Sequence, residues 1–304
     1  MAQSAAMLPA LDLAILAVTV VIVILAARAL GWWLVRLLFW ATARGQAIAA
    51  SPTIRQRARP LRDKLRARFP RLFALAVARL DPARFSGLPL TLLVVAAIYV
   101  AGLLGGLIGE VLEAEGARRL DQAIQGFFGP WRVQPLIAVF VWITALGAGP
   151  TLTAVSLVAT GFLWAHGRAH FILPLWTTFL GAQGTTWLGK YALARERPEF
   201  IESVSAFSPS FPSGHTTASM ALYGFLAYLL ARDLPSVRAR FEIAFWALVL
   251  IALIAFSRVF LSVHYATDVA AGAMVGLFWL LVGFVLTELA RVRFVSPSRH
   301  VPRD

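Results

Sequence analysis

The chain has 304 residues, of which 59% are hydrophobic and 14% charged, whereas a soluble domain carries about 25% charged residues. This composition excludes an ordinary soluble protein and predicts an integral membrane protein, and the absence of cysteine excludes disulfides, zinc–thiolate sites and thiol catalysis. The net charge of +13 lies mostly beside apolar segments, which argues against a nucleic-acid partner and for the positive-inside rule.

Residues 1–43 are predicted to form an extra N-terminal transmembrane helix with an interfacial collar. The apolar run is Leu8–Leu30, and the collar, Gly31–Thr42, mixes tryptophans with Arg36. No Lys or Arg precedes the run, so the basic region of a signal peptide is missing, and we interpret the run as a retained span.

Residues 44–86 are predicted to be a basic cytoplasmic segment that is partly an amphipathic helix. Arginines dominate it, and apolar residues repeat at helical spacing: Leu61, Leu65, Phe69, Leu72 and Phe73. Two interpretations place it in the cytoplasm. It either sets the topology as a basic loop or docks on anionic lipid headgroups.

Residues 87–290 are predicted to form an all-α domain with six membrane-spanning helices. The spans expected here are Leu88–Ile108, Thr151–Trp164, Phe171–Leu188, Thr216–Leu230, Phe241–Phe256 and Val269–Leu286. In the last span, Gly272 and Gly276 form a GxxxG pattern that favours close helix packing. Residues 291–304 are a basic tail, and no long internal repeat is present.

The segments between these spans predict the orientation. We expect the acidic stretch Glu110–Gln134 to be a loop on the outer face and Pro135–Gly147 to be too short to span. The junctions His166–His170 and Arg232–Arg240 are then cytoplasmic, and we assign no catalytic role to His166 or His170. Lys190, His215 and His264 all fall at outer ends of spans.

The first of three polar clusters is Lys190, six residues, then Arg197 and Pro198. Lys190 ends a span, and Pro198 stops any helix. Lysine supplies a compact positive charge, and arginine supplies a planar fork for two phosphate oxygens. The cluster therefore predicts an oxyanion site, although a snorkelling Lys190 and a loop arginine would look the same.

The second cluster is Pro212-Ser213-Gly214-His215, which opens a span. Ser213 suits a helix N-cap, and Gly214 lets backbone N–H groups approach an anion closely. His215 is positioned to hand a proton to a leaving-group oxygen. A capped helix with a histidine in its first turn is common, so this pattern is weak by itself.

The third cluster is Ser257-Arg258, five residues, His264, three residues and Asp268. His264 and Asp268 are four residues apart, so on a helix they would share a face and touch. A carboxylate on one ring nitrogen leaves the other free as a nucleophile. Arg258 adds a third cation for phosphoryl transfer.

A metal site is the competing interpretation. The two histidines and Asp268 could bind zinc, with Glu196, Glu199 and Glu202 as further ligands. Three cations nearby would repel a divalent metal and favour an anion. We therefore expect neither a metal nor another cofactor.

Taken together, the three clusters resemble the signature motifs of the type 2 phosphatidic acid phosphatase (PAP2) superfamily, over about Leu88–Leu286. The resemblance implies a six-helix core, to which the N-terminal helix is an addition. It implies that Lys190, Arg197, Ser213, Gly214 and Arg258 bind the phosphate. His264 would form a phosphohistidine, Asp268 would orient it, and His215 would protonate the leaving group, without a metal.

The expected function is therefore a membrane phosphatase whose partner is a lipid phosphate entering from the bilayer. The candidate substrates are phosphatidate, phosphatidylglycerophosphate, undecaprenyl diphosphate and a lipid A phosphate, with specificity in Glu110–Gln134 and Phe200–Phe211. The alternatives are phosphotransfer to another acceptor, a vanadium haloperoxidase and a non-enzymatic scaffold. We expect a bacterial inner membrane with the site on the periplasmic face, and the oligomeric state stays open.

Overall fold

The computed structural model describes residues 10–113, 115–199 and 208–295, all of them helical or in turns and loops. The predicted all-α class is confirmed within these ranges, and an α-helix overlaps each of the seven predicted spans over most of its described residues. The α-helices are α1 Ala10–Ala50, α2 Pro52–Arg68, α3 Pro70–Arg79, α4 Leu88–Glu113, α5 Glu115–Phe128, α6 Gln134–Ala145, α7 Gly149–Ala165, α8 Ile172–Leu193, α9 Gly214–Arg232, α10 Val237–Phe260 and α11 Ala266–Val295.

The chain divides into two compact units, Leu8–Leu93 and the part from Val94 onward. In the first unit, α1 continues without a break through the predicted collar to Ala50. The amphipathic pattern of the basic segment is split between α2 and α3 at Phe69, because Pro70 lacks the N–H that a continuous helix needs. Ser51 caps α2 by accepting a hydrogen bond from the backbone N–H of Ile54.

In the second unit, α9 is the central helix and packs against α8, α10 and α11. Its inner face is fully buried at Leu222 and Phe225, which contact Leu152 of α7 and Leu175 of α8. Aliphatic and aromatic groups of four helices thus form one continuous core under the polar clusters.

Glycines on α11 set its distance from α9. A Cβ atom at Gly272 would lie 2.6 Å from the carbonyl oxygen of Ser213, and one at Gly276 would lie 2.6 Å from that of Thr217. Only a residue without a side chain allows this approach, as in small-residue packing between membrane helices. The GxxxG pattern therefore fixes the start of α11 against the start of α9.

Four helices in the described part of the chain are long and apolar enough to cross a membrane: α1, α4, α10 and α11. Helices α6 and α7 are bent by 40° relative to each other and together would make a fifth. Helices α8 and α9 miss this criterion, and both bury polar side chains against the bundle, among them Thr178, Thr186, Thr216 and Thr217. Polar groups in membrane helices face the bundle interior in this way.

One predicted loop is wrong. Within Glu110–Gln134, helix α4 continues to Glu113, and residues 115–128 form α5, a strongly amphipathic helix. Its inner face buries Ala117 and Asp121. This helix covers the end of the bundle that carries the three polar clusters.

Candidate active site

The three clusters meet at one end of the second unit, which we call the site end. Lys190 lies in the last turn of α8, Ser213 precedes α9, Arg258 lies in the last turn of α10 and Asp268 lies in the first turn of α11. His264 lies in the turn between α10 and α11. Short connections at one end of four packed helices thus bring together residues that are far apart in sequence.

The opposite end of the unit is closed by separate ion pairs. Arg168 pairs with Asp233 at 2.6 Å, and Arg232 pairs with Glu288 at 3.1 Å. His166 lies at this end, stacked on Phe162 with the ring centroids 4.0 Å apart. Lys190 is about 18 residues along α8 from this end, or about 27 Å at 1.5 Å per residue.

His264 and Asp268 are in contact, but not in the predicted way. Their side chains are 2% and 0% exposed, and Nδ1 of His264 lies 3.4 Å from Oδ2 of Asp268. They do not share a helix face, because α11 begins only at Ala266 and His264 precedes it. The backbone N–H of Tyr265 donates to Oδ2 at 2.9 Å, so the carboxylate turns back onto the residues before its own helix.

The other ring nitrogen of His264 faces Arg197. Nη1 of Arg197 lies 3.2 Å from Nε2 of His264 and donates to the carbonyl oxygen of Val263 at 2.6 Å. A guanidinium can only donate, so this contact assigns the lone pair to Nε2 and the ring proton to Nδ1, which lies 3.4 Å from Oδ2 of Asp268 without forming a hydrogen bond. This is the tautomer that a nucleophilic Nε2 requires.

Arg197 is held in place by the loop segment that precedes α9. Its Nε atom donates to the carbonyl oxygen of Ser208 at 2.7 Å, and Nη2 donates to the hydroxyl of Ser208 at 3.2 Å. Lys190, 5% exposed, donates from Nζ to the carbonyl oxygen of Pro209. The first cluster thus bridges the end of α8 and the approach to α9.

Arg258 is 5% exposed and only partly bonded. Its Nη1 atom donates to the hydroxyl of Thr144 on α6 at 2.7 Å, while its Nε atom is buried without a hydrogen-bond partner. Helix α6 also supports the turn before His264, because Ile137 packs with Phe260, Leu261 and Val263. The segment predicted as too short to span thus orients the third cation.

Ser213 is the N-cap residue of α9, as predicted from the sequence, but its hydroxyl does not cap the helix. The hydroxyl accepts a hydrogen bond from Thr216 at 3.1 Å, and the backbone N–H of Ser213 donates to the carbonyl oxygen of Asp268 at 3.0 Å. Gly214 and His215 form the first turn. His215 is half-buried, within electrostatic range of His264 and of all three cations.

The electrostatics of the site favour an anion. Burial, together with Arg258, Arg197 and Lys190, holds the pKa of His264 well below its ordinary value, so the ring is neutral at neutral pH. Among the described residues, none of these three cations forms a salt bridge with a carboxylate. The described residues also contain no group of three or more His, Asp or Glu side chains that could hold a metal ion. Glu202 lies outside the described residues, as does most of the predicted specificity loop Phe200–Phe211.

Sequence reasoning missed four residues around this site. Arg195 binds Asp268 and Asp121, and Gln125 donates to the carbonyl oxygen of His264 at 3.0 Å. Arg132 donates to the side-chain oxygen of Gln125 and, at 2.7 Å, to the carbonyl oxygen of Phe260. The four-residue spacing of Ala117, Asp121 and Gln125 is a helical signal that could have identified the inner face of α5.

A polar cavity of about 520 Å³ lies beside the turn that carries His264. Its lining is Gln122, Gln125, Arg132, Pro198, Glu199, Ser262 and Tyr265. Ser262 has φ of +55°, a left-handed conformation that is uncommon for a residue with a side chain, and its hydroxyl donates to the carbonyl oxygen of Glu199 at 2.8 Å. The cavity therefore presents hydrogen-bond donors and acceptors next to the turn that carries His264.

Comparisons with known proteins match these features. The family model of the PAP2 superfamily matches residues 171–291. Phosphatidylglycerophosphatase B of Bacillus subtilis (strain 168) is 32% identical over 181 residues, which cover 59% of this chain and 89% of that protein. Lipid phosphate phosphatase delta of Arabidopsis thaliana is 34% identical over 103 residues, which cover 33% of this chain and 24% of that protein.

A solved structure has a similar fold. The crystal structure of the transmembrane PAP2 type phosphatidylglycerolphosphate phosphatase from Bacillus subtilis aligns with a TM-score of 0.59 at 26% identity. The alignment covers 64% of this chain and 96% of that one.

Proposed function

Because this chain belongs to the PAP2 superfamily and is a membrane lipid phosphatase, we propose that it removes the terminal phosphate of phosphatidylglycerophosphate or a closely related lipid through a phosphohistidine. The Bacillus subtilis relative named for that substrate is aligned over most of its length, which favours this substrate over phosphatidate and undecaprenyl diphosphate. No metal or other cofactor takes part in the proposed reaction.

One observation carries the proposal. Lys190 and Arg258 are buried, Arg197 is half-buried, all three lie within electrostatic range of His264, and no described carboxylate pairs with them. A buried charge without a partner costs several kcal/mol, so the arrangement favours a bound anion. A phosphate with two negative charges and three equatorial oxygens satisfies these donors together with the N–H groups at the start of α9.

In the first step, the lone pair on Nε2 of His264 attacks the phosphorus atom and the bond to the lipid oxygen breaks. Lys190, Arg197 and Arg258 hold the equatorial oxygens, where charge accumulates in phosphoryl transfer. The bound phosphate dianion offsets the three cations, which by themselves disfavour a charged ring at His215, so that His215 is protonated in the complex. It gives its proton to the leaving oxygen, and the lipid departs as an alcohol. Asp268 stabilises the positive imidazolium that results.

In the second step, water attacks the phosphorus atom and the P–N bond breaks. His215, now neutral, takes a proton from the water and returns to its starting state. Inorganic phosphate leaves, and His264 is restored as a neutral ring with its proton on Nδ1. Atoms and charge balance without any further reactant.

We place the site end on the periplasmic face of a bacterial inner membrane. The support is the opposite end of the second unit, where Arg168, Arg232, Arg240 and Arg291 gather, as expected for a cytoplasmic side. From their own charge, the cationic helices α2 and α3 are proposed to lie in the cytoplasm, where anionic lipid headgroups would attract them.

Phosphate release from a panel of lipids tests the function. The purified protein in detergent is given phosphatidylglycerophosphate, phosphatidate, undecaprenyl diphosphate and a lipid A phosphate, each with EDTA present. Release from phosphatidylglycerophosphate with the highest kcat/KM is expected. Loss of turnover in EDTA contradicts the proposed metal-free chemistry, and label from a ³²P substrate that appears on another lipid instead of in inorganic phosphate indicates phosphotransfer.

A further inference from the structure

Asp268 is joined to a second buried carboxylate by one arginine. Nη1 of Arg195 donates to Oδ1 of Asp268 at 2.5 Å, and Nη2 of the same guanidinium donates to Oδ2 of Asp121 at 2.8 Å. The two carboxylates are 0% and 1% exposed, and the side chain of Arg195 is 18% exposed. We call these three residues the charge clamp.

Asp121 is tied in turn to the beginning of α11. Its Oδ1 accepts the backbone N–H of Thr267 at 3.1 Å, and its Oδ2 accepts the hydroxyl of Thr267 at 2.6 Å. Nη1 of Arg195 also donates to that hydroxyl at 2.8 Å. Asp121 therefore fixes both Arg195 and the residue that directly precedes Asp268.

In the charge clamp, the two carboxylate oxygens of Asp268 have different partners. Oδ1 is occupied by Arg195, while Oδ2 receives the N–H of Tyr265 at 2.9 Å and faces Nδ1 of His264 at 3.4 Å. With each oxygen held by a different element, the carboxylate plane cannot rotate away from the histidine. The tautomer of His264 then depends on Arg195 as well as on Asp268.

The clamp also sets the charge next to His264. Arg195 alone would neutralise Asp268 and weaken its hold on a positive imidazolium. Asp121 offsets that effect, so two carboxylates against one guanidinium leave one net negative charge beside Nδ1. These carboxylates and the guanidinium differ in accessibility, but all three are too buried for full screening by water.

We propose that Arg195 and Asp121 are positioning residues for the phosphoryl transfer, acting through Asp268 on His264. The inference rests on the proposed function, in which His264 is the nucleophile. Arg195 is one of the six unspecified residues within the first motif, and Asp121 lies on α5, outside residues 171–291 matched by the family model. Helix α5 thus takes part in the proposed phosphoryl transfer. Its Asp121 contacts none of the phosphate-binding residues of the three motifs and acts only through Arg195 and Thr267.

The test compares Arg195→Gln, Arg195→Lys and Asp121→Asn with the wild type. Loss of a residue that orients a catalytic group lowers kcat by about 10–100-fold, whereas KM should stay within about twofold because the phosphate ligands are intact. Arg195→Lys keeps the charge and should recover part of the loss. Arg119→Gln is the control, since Arg119 lies on the exposed face of the same helix, paired with Glu115 at 3.1 Å.

A double-mutant cycle adds a readout that general destabilisation does not reproduce. The charges of Arg195 and Asp121 offset each other, so the combined Arg195→Gln and Asp121→Asn variant should lose less kcat than the two single losses multiplied together. If the Arg195 variants or the double variant aggregate in detergent, the test relies on Asp121→Asn alone. Its amide keeps an oxygen that can accept the backbone N–H of Thr267, so this variant should fold. Unchanged kcat in Asp121→Asn, or a raised KM with unchanged kcat, overturns the inference.

Orthovanadate binding separates this inference from the proposed function. Vanadate adopts the five-coordinate geometry of phosphoryl transfer when a histidine nitrogen binds it, so its affinity reports on the nucleophile without turnover. A weaker affinity of Arg195→Gln for vanadate supports the charge clamp, whether or not the wild type hydrolyses any of the lipids. Absence of lipid hydrolysis by the wild type would refute only the proposed function. Hydrolysis by the wild type with equal kcat and equal vanadate affinity in Arg195→Gln refutes only the clamp.

Discussion

Nη1 of Arg197 lies 3.2 Å from Nε2 of His264, so the lone pair of the predicted nucleophile points at one of the predicted phosphate ligands. The guanidinium therefore selects the reactive tautomer before any substrate is bound. In the proposed mechanism, the oxygens of an entering phosphate take the place of the ring as acceptors from Arg197, which frees the lone pair next to the phosphorus atom. This relationship and the buried cations around it lead to four predictions.

His264→Ala should lower the rate of phosphate release by about 1,000-fold or more, because no other described histidine is placed to act as the nucleophile instead. Release of inorganic phosphate from the best lipid substrate measures it, together with acid-labile label on the protein in a rapid quench. His166→Ala is the matched control, since His166 lies at the opposite end of the second unit, and it should retain wild-type turnover. Retained turnover in His264→Ala would contradict the assignment of His264 as the nucleophile.

Thr144→Val should lower kcat/KM by about 10-fold. The substitution keeps the side-chain shape but removes the only hydrogen-bond acceptor found for Arg258 among the described residues, so the guanidinium loses its orientation. Steady-state kinetics on the same lipid measure the change. Thr153→Val, at an exposed position of α7, should leave kcat/KM unaltered, and equal kinetics in both variants would show that α6 does not orient the cation.

The acid limb of activity should lie below the ordinary histidine pKa of about 6.5. In the proposed mechanism the neutral ring is the nucleophile, and the lowered pKa of His264 keeps it neutral as the pH falls, until the pH passes that lowered value. The charged groups that face the ring are Arg258 of α10, Arg197 of the connecting loop, Lys190 of α8, His215 of α9 and Asp268 of α11.

Lys190→Gln separates the histidine from the substrate in this pH profile. A phosphate monoester itself ionises near pH 6, and that ionisation is common to both proteins. Removal of one cation should raise the pKa of His264 and move the acid limb of kcat/KM to higher pH. An acid limb that stays at the same pH in the variant would assign it to the substrate.

Gly272→Ala should destabilise the second unit by about 1–3 kcal/mol, because the added Cβ would lie 2.6 Å from the carbonyl oxygen of Ser213 and force α11 away from α9. Thermal unfolding in detergent measures the loss, and activity should fall with it, since Ser213 and Asp268 are bonded to each other. Gly105→Ala on α4 is the control, because no atom lies within 4 Å of its added Cβ. Equal melting temperatures in the two variants would show that the contact is not tight.

The helices were predictable because a bilayer imposes strong constraints on sequence. Each predicted span is a run of apolar residues, and several end close to residues that are costly inside a membrane, such as Lys190 and Arg258. The exception is α5, which was interpreted as a loop because its four charged residues, Glu115, Arg118, Arg119 and Asp121, are incompatible with a membrane span. Its periodicity was informative, but hydropathy conceals a helix that lies against a bundle instead of crossing the membrane.

By itself, the sequence determined the all-α membrane bundle, the family and the six charged or histidine positions of the three motifs, because these depend on composition and local spacing. Only the tertiary structure determined which side chains are in contact with each other. It showed that His264 precedes α11 and meets Asp268 from outside the helix, that Arg197 faces Nε2, and that Arg195 joins Asp268 to Asp121. These contacts connect residues up to 74 positions apart. Such pairings depend on how helices pack in three dimensions, and no local pattern in the sequence encodes that packing.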